Sequence, residues 1–177
     1  MNKLFTLAAI ASLMMISIPS NAYAEKTTAV VDLVKIITQS KAGTGIKKQL
    51  LEKKAEYQKT VTQKEADLKS KEKDLLNKKK LTKEDVFNKE AAAFKEEVSS
   101  TKTFVHNLLV SLEKAQTDSM QKVSDKTIEI IKELAAKNKY SLVVRRSVVV
   151  YLEDSIDITD VVLEELNKKL PSVKISF

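Results

Sequence analysis

The stretch Val86 to Ala115, VFNKEAAAFKEEVSSTKTFVHNLLVSLEKA, decides the fold. Apolar or small residues recur at Phe87, Ala91, Phe94, Val98, Thr101, Val105, Leu108, Leu112 and Ala115, in steps that alternate four and three. A heptad seam of this kind buries one narrow stripe of a helix against a partner and winds the pair left-handed. Beyond Leu112 the spacing predicts a seam through Gln116, Met120, Val123, Thr127, Ile130 and Leu134, with extra residues in the repeat that locally unwind the coil.

Upstream, Ile46 to about Lys80 is equally helix-prone but carries a thinner stripe: Ile46, Leu50, Tyr57, Val61, Leu68 and Leu75, with lysines at several seam positions between them. The only glycines are Gly43 and Gly45, and no proline lies between Pro19 and Pro171, so nothing breaks a long helix between Ile46 and Leu170. The reversal falls at Lys78-Lys79-Lys80-Leu81-Thr82-Lys83, where Thr82 is expected to cap the second helix and Glu84 and Asp85 complement its dipole. Helices of about 35 and 55 residues would make an antiparallel arm on the order of 50 Å long or more.

The chain ends read differently. Thr27 to Leu33, Tyr140 to Arg146 and Ser147 to Leu152 are short β-prone runs. A short helix is expected from Val34 to Lys41, with Gly43-Thr44-Gly45 ending it and Thr44 capping the long helix. Asp157-Ile158-Thr159-Asp160 opens a last helix, Val161 to about Leu170, and Ser172 to Phe177 either adds a strand or lies loose. The fold class is therefore α+β. A small β-sheet body from residues 25–45 and 140–177 carries a protruding antiparallel coiled-coil hairpin, 46–139. So small a body is expected to oligomerise through its sheet edges, with Val30, Leu33, Val143, Val149 and Tyr151 as its candidate residues.

Residues 1–24 read as a secretory signal peptide: Lys3, an apolar run from Leu4 to Ile18, and Ala22-Tyr23-Ala24 as cleavage site. Its removal takes the net charge from +7 to +6. A basic balance favours acidic partners, and export argues against nucleic acid. Without cysteine there is no disulfide, thiolate metal site or cysteine nucleophile. The lone His106 has no companions for a metal site, and Glu96-Glu97 and Glu164-Glu165 diverge around their helices. The two glycines lack the spacing of a phosphate loop. No catalytic residue, cofactor or metal is expected.

Both ends of the chain resemble the Skp (OmpH-like) periplasmic chaperones. The resemblance rests on the strand Ala29-Val30-Val31-Asp32-Leu33, the turn Ser40-x-x-Gly43 into a lysine-rich helix, Leu142-Val143-Val144, Val150-Tyr151, and Asp157-Ile158-Thr159-Asp160-x-Val162-Leu163-x-x-Leu166-Asn167. The arm matches only in helical character. The resemblance implies a homotrimer with a shared β core, three arms around a cavity, and ATP-independent holding of unfolded outer-membrane β-barrel proteins in the periplasm. Arg145 and Arg146 and the tail beyond Leu170 depart from the family pattern.

Two groups are candidate contacts with clients or a membrane surface. Lys78, Lys79, Lys80 and Lys83 at the arm tip would meet anionic lipid headgroups or lipopolysaccharide. Phe104, one step off the seam, is the better aromatic candidate, whereas Phe87 and Phe94 belong to the seam. The rival to a chaperone is a coiled-coil spacer or envelope tether, for which both helices should carry a uniformly filled seam.

Overall fold

The structure, a computed structural model, describes residues 27–177; the expected signal peptide lies outside them. In chain order the elements are β1 (Thr27–Val31), α1 (Leu33–Gln39), α2 (Lys41–Lys78), α3 (Glu84–Asn138), β2 (Tyr140–Arg145) and α4 (Thr159–Lys169), with 3-10 turns at Arg146–Val148 and Asp154–Ile156. The expected α+β class holds: a mostly helical chain with a small sheet made by its two ends. At a 1.5 Å rise per residue, the 38 residues of α2 and 55 of α3 extend for about 57 and 82 Å.

Local chemistry sets the helix boundaries. Asp32 caps α1 by accepting from the Lys35 amide at 2.9 Å, and Ser40 caps α2 by accepting from the Gly43 amide at 3.0 Å. The expected cap Thr44 instead lies within α2, its hydroxyl donating to the Ser40 carbonyl at 2.9 Å. The long helix starts earlier than expected because Ser40 supplies the acceptor and Gly43 lets the two helices touch. A Cβ built on Gly43 would sit 1.8 Å from the Ile37 carbonyl oxygen, whereas one on Gly45 would meet open space. Thr82 does not cap α3 either; Lys83 holds the cap position without a side-chain bond, and Glu84 and Asp85 offer the dipole complement alone. At the far end Lys139 ends α3 in the left-handed conformation (φ 58°), turning the chain into β2.

β1 and β2 pair in parallel, Thr28 with Leu142 through Val31 with Arg145, after an irregularity at Thr27. The run Ser147 to Leu152 is not a strand. Its first residues close a 3-10 turn in which the Val149 amide donates to the Arg146 carbonyl, so the chain leaves the sheet instead of pairing. The other edge of β1 is met by the segment entering α4, where the Ile158 amide donates to the Val30 carbonyl at 2.9 Å.

The core sits where the arm meets the body. Ala29, Val31, Ile36, Ile46, Val123, Ile130, Val162 and Leu166 are buried together there. The C-terminal tail is neither a strand nor loose, because Val173 and Ile175 join this core and the Gln49 side chain holds their backbone.

Candidate interaction surfaces of the arm and body

Along the root half of α3 the buried residues are Ala115, Ser119, Val123, Thr127 and Ile130. Gln116 is exposed and Met120 half-buried, so the seam passes one residue before these two, through Ala115 and Ser119, and then meets the expected Val123, Thr127 and Ile130. From Ala115 to Ile130 it takes fifteen residues over four turns, about 3.75 per turn, which relaxes the left-handed coil where the arm joins the body. Small Ala115 and Ser119 bring α2 close, and the Thr127 hydroxyl is satisfied by the Val123 carbonyl at 2.8 Å.

Toward the tip no residue of α2 or α3 is fully buried. Here three lysines at heptad spacing on α2 face three residues at heptad spacing on α3. The Lys64 ammonium lies 5.0 Å from the Phe104 ring centroid, Lys71 pairs with Glu97 at 2.6 Å and Lys78 with Glu90 at 3.0 Å. In each pair the two residue numbers add to 168, the mark of an unbroken antiparallel register. These contacts flank Leu68, Leu75, Phe94 and Val98, which are only half-buried. Phe104 is thus half-covered by Lys64.

The tip cluster divides. Lys78 is engaged by Glu90, while Lys79, Lys80 and Lys83 are exposed and enter no ion pair among the described residues. Charge is also unequal between the helices: α2 carries eleven lysines against six acids, and α3 eight against ten. At the root, Thr38, Lys47, Leu50, Leu51, Lys54, Gln116 and Met120 line an open cleft of about 440 Å³. Further out, Leu109 and Val110 stand exposed on α3. Leu51 and this pair are exposed apolar side chains that seam counting passes over, since they lie off the stripe.

In the body, the expected assembly residues separate into two groups. Val30 is buried, and Leu33, Val143 and Val149 are half-buried, Leu33 and Val143 against the subunit's own core. Tyr151 is 81% exposed, and Leu142, Val148 and Val150 also face outward, on or following β2, whose second edge no strand pairs among the described residues. Behind them Arg146 pairs with Asp157 at 3.0 Å, and Asp157 accepts from the Thr159 amide at 2.9 Å. Thr159 in turn accepts from the Asp32 amide at 2.9 Å. Burial pushes the Asp157 carboxyl up, but hydrogen bonds from the Thr159 hydroxyl and amide and from Arg146 outweigh it and hold the group below its ordinary value. Lys35, bonded to Asp160 at 2.6 Å, is shifted upward by that bond. This network ties α1 to the start of α4; among the described residues no cluster of ligands suits a metal ion, and no helix is long and apolar enough to cross a membrane.

The geometry is that of a known class of chain. The fold superposes on a crystal structure from Caulobacter crescentus CB15, described as that of a candidate outer membrane chaperone (OmpH-like), with a TM-score of 0.78 and 17% identity. The superposition covers 83% of this chain and 87% of that one. No curated protein matches the chain in sequence at a significant level. Residues 27–166 match the family described as outer membrane protein (OmpH-like), a span that takes in the sheet, the whole arm and most of α4. The chain therefore belongs to the OmpH-like outer membrane protein family.

Proposed function

We propose that this protein is an ATP-independent periplasmic holdase that binds unfolded outer-membrane β-barrel proteins and performs no chemistry. The observation that carries this reading is the distal arm: two long helices joined by half-buried contacts and lysine pairs, with no filled apolar seam. A spacer is stiffened by a continuous seam. A surface that must hold many sequences weakly is better served by scattered apolar side chains among long, mobile cations. Leu51, Leu109, Val110 and the α2 lysines supply that mixture.

The subunit carries the arm on a body too small to hold it alone. A second and third copy meeting at the β2 edge and at Val148, Val150 and Tyr151 would cover these apolar side chains and bring three arms around one cavity. Lys79, Lys80 and Lys83 then stand at the mouth, where anionic lipid or lipopolysaccharide would meet them.

Light scattering tests both parts. The mature protein is expected at the mass of a trimer. It is also expected to keep a urea-diluted β-barrel protein soluble without nucleotide. A client that aggregates as fast as it does alone would defeat the holdase reading.

A further inference from the structure

The tail Ser172 to Phe177 lies beyond the stretch that matches the family, yet it is built into the fold. Its apolar residues alternate: Val173 and Ile175 are each 7% exposed, while Lys174 and Ser176 between and after them face solvent. The Gln49 amide on α2 bonds the backbone on either side of Lys174, donating from Nε2 to the Val173 carbonyl at 2.9 Å and accepting at Oε1 from the Ile175 amide at 3.3 Å. A neighbouring β-strand would bond a residue's flanking C=O and N–H groups in the same way. One helical turn on, the Lys53 ammonium lies 5.6 Å from the Phe177 ring.

None of these contacts reads the identity of Lys174 or Ser176. The site asks for an extended backbone, two β-branched apolar side chains two residues apart, and an aromatic two residues further on. Recognition of this type, backbone bonds with pockets for alternate side chains, accepts many strands of one pattern. The strands of membrane β-barrels carry that pattern, apolar and polar residues alternating along each segment.

We propose that the arm root holds a strand-docking site, that the protein's own tail is its resident occupant, and that alternating segments of an unfolded β-barrel client displace it. The proposal rests on the holdase reading for the identity of the partner, and on the seated tail for the site. Because the tail is tethered, it competes at an effective concentration on the order of millimolar, which keeps the site closed to weak or short segments and opens it to a client already held by the arms.

The test uses the full-length mature protein. The chain has no cysteine, so Ser176→Cys places a single fluorescent label on the exposed side of the tail, and its anisotropy reports whether the tail is docked. A peptide with the sequence of Ser172 to Phe177, titrated into the millimolar range, is expected to lower the anisotropy toward that of the labelled free peptide. A peptide of the same composition with its three apolar residues adjacent is expected to leave it unchanged. Unfolded β-barrel protein should lower it at far smaller concentrations. Gln49→Ala in the labelled protein should lower the starting value, and circular dichroism of that variant checks that its helices persist. If the client is kept soluble and the anisotropy does not move, the docking proposal is overturned while the holdase reading stands. Should the client aggregate although the ordered peptide displaces the tail, the site is supported and the holdase reading fails. An equal response to both peptides, or a fall on adding unlabelled copies of the protein itself, overturns the proposal, the latter because the occupant is then another subunit's tail.

Discussion

Lys71 on α2 and Glu97 on α3 meet at 2.6 Å in the middle of the distal arm, with 55% and 40% of their side chains still exposed. Pairs so exposed are worth at most about 1 kcal/mol and weaken with salt. Glu97→Gln is therefore expected to speed amide exchange in the distal arm about threefold at low ionic strength, and to make no difference in 1 M salt, where the Debye length is about 3 Å. Exchange at the root, around Val123 and Ile130, should not respond. An effect that persists in high salt would mean that packing, rather than charge, joins the helices at this point.

The two glycines should behave oppositely. Gly43→Ala drives a methyl into the Ile37 carbonyl, and overpacking of this kind costs typically 1–3 kcal/mol, here expected at or above about 2. Gly45→Ala meets open space within a helix and should stabilise by about 0.5–1 kcal/mol through helix propensity. Urea unfolding at fixed protein concentration measures both. Equal effects would contradict the close approach of α1 and α2.

Acid stability should depend on Asp157. Its carboxyl is depressed in the folded state, so its contribution is complete above the unfolded value of about 3.9 and is lost as pH falls through the lower, folded value. Asp157→Asn should thus lower the melting temperature by a constant amount above about pH 5, and the gap from the parent should close as pH falls below about 4. A gap of the same size at pH 3 and pH 7 would show that the charge is immaterial.

Tyr151→Asp combined with Val150→Asp places two carboxylates in the exposed apolar run that follows β2. The expected outcome is a fall in solution mass to that of one subunit, read by light scattering, with the helical signal retained. A mass unchanged from the parent would move the assembly surface elsewhere.

Much of this architecture is legible in the chain. The four-three spacing from Phe87 to Leu112 announces the partner helix, and β-prone runs at both ends announce the sheet. Where reading and structure part, local chemistry decides between neighbours. Ser40 outcompetes Thr44 as a cap because the helix can begin there only if Gly43 follows. The root seam takes Ser119 in place of Met120 because so small a side chain can be buried there, which a count of large apolar residues misses, while Ala115, Val123, Thr127 and Ile130 lie where the spacing puts them. The lysine ladder was visible as Lys64, Lys71 and Lys78 opposite Phe104, Glu97 and Glu90, had charges been counted at heptad spacing. The docking of the tail was not, because it depends on one glutamine about 125 residues away in the chain.

Thr27 pairs with Tyr140 although the whole arm separates them. Closing so long a loop in an unfolded chain is entropically costly, and strands joined that way assemble slowly. The arm removes the difficulty: its helices are local, they can zip together from the turn at Lys79 to Lys83, and when they have done so the chain on either side of the arm has been brought to its root. The hairpin then serves as the template on which its own body closes, so sheet formation, and any joining of subunits, is expected last in the order of folding.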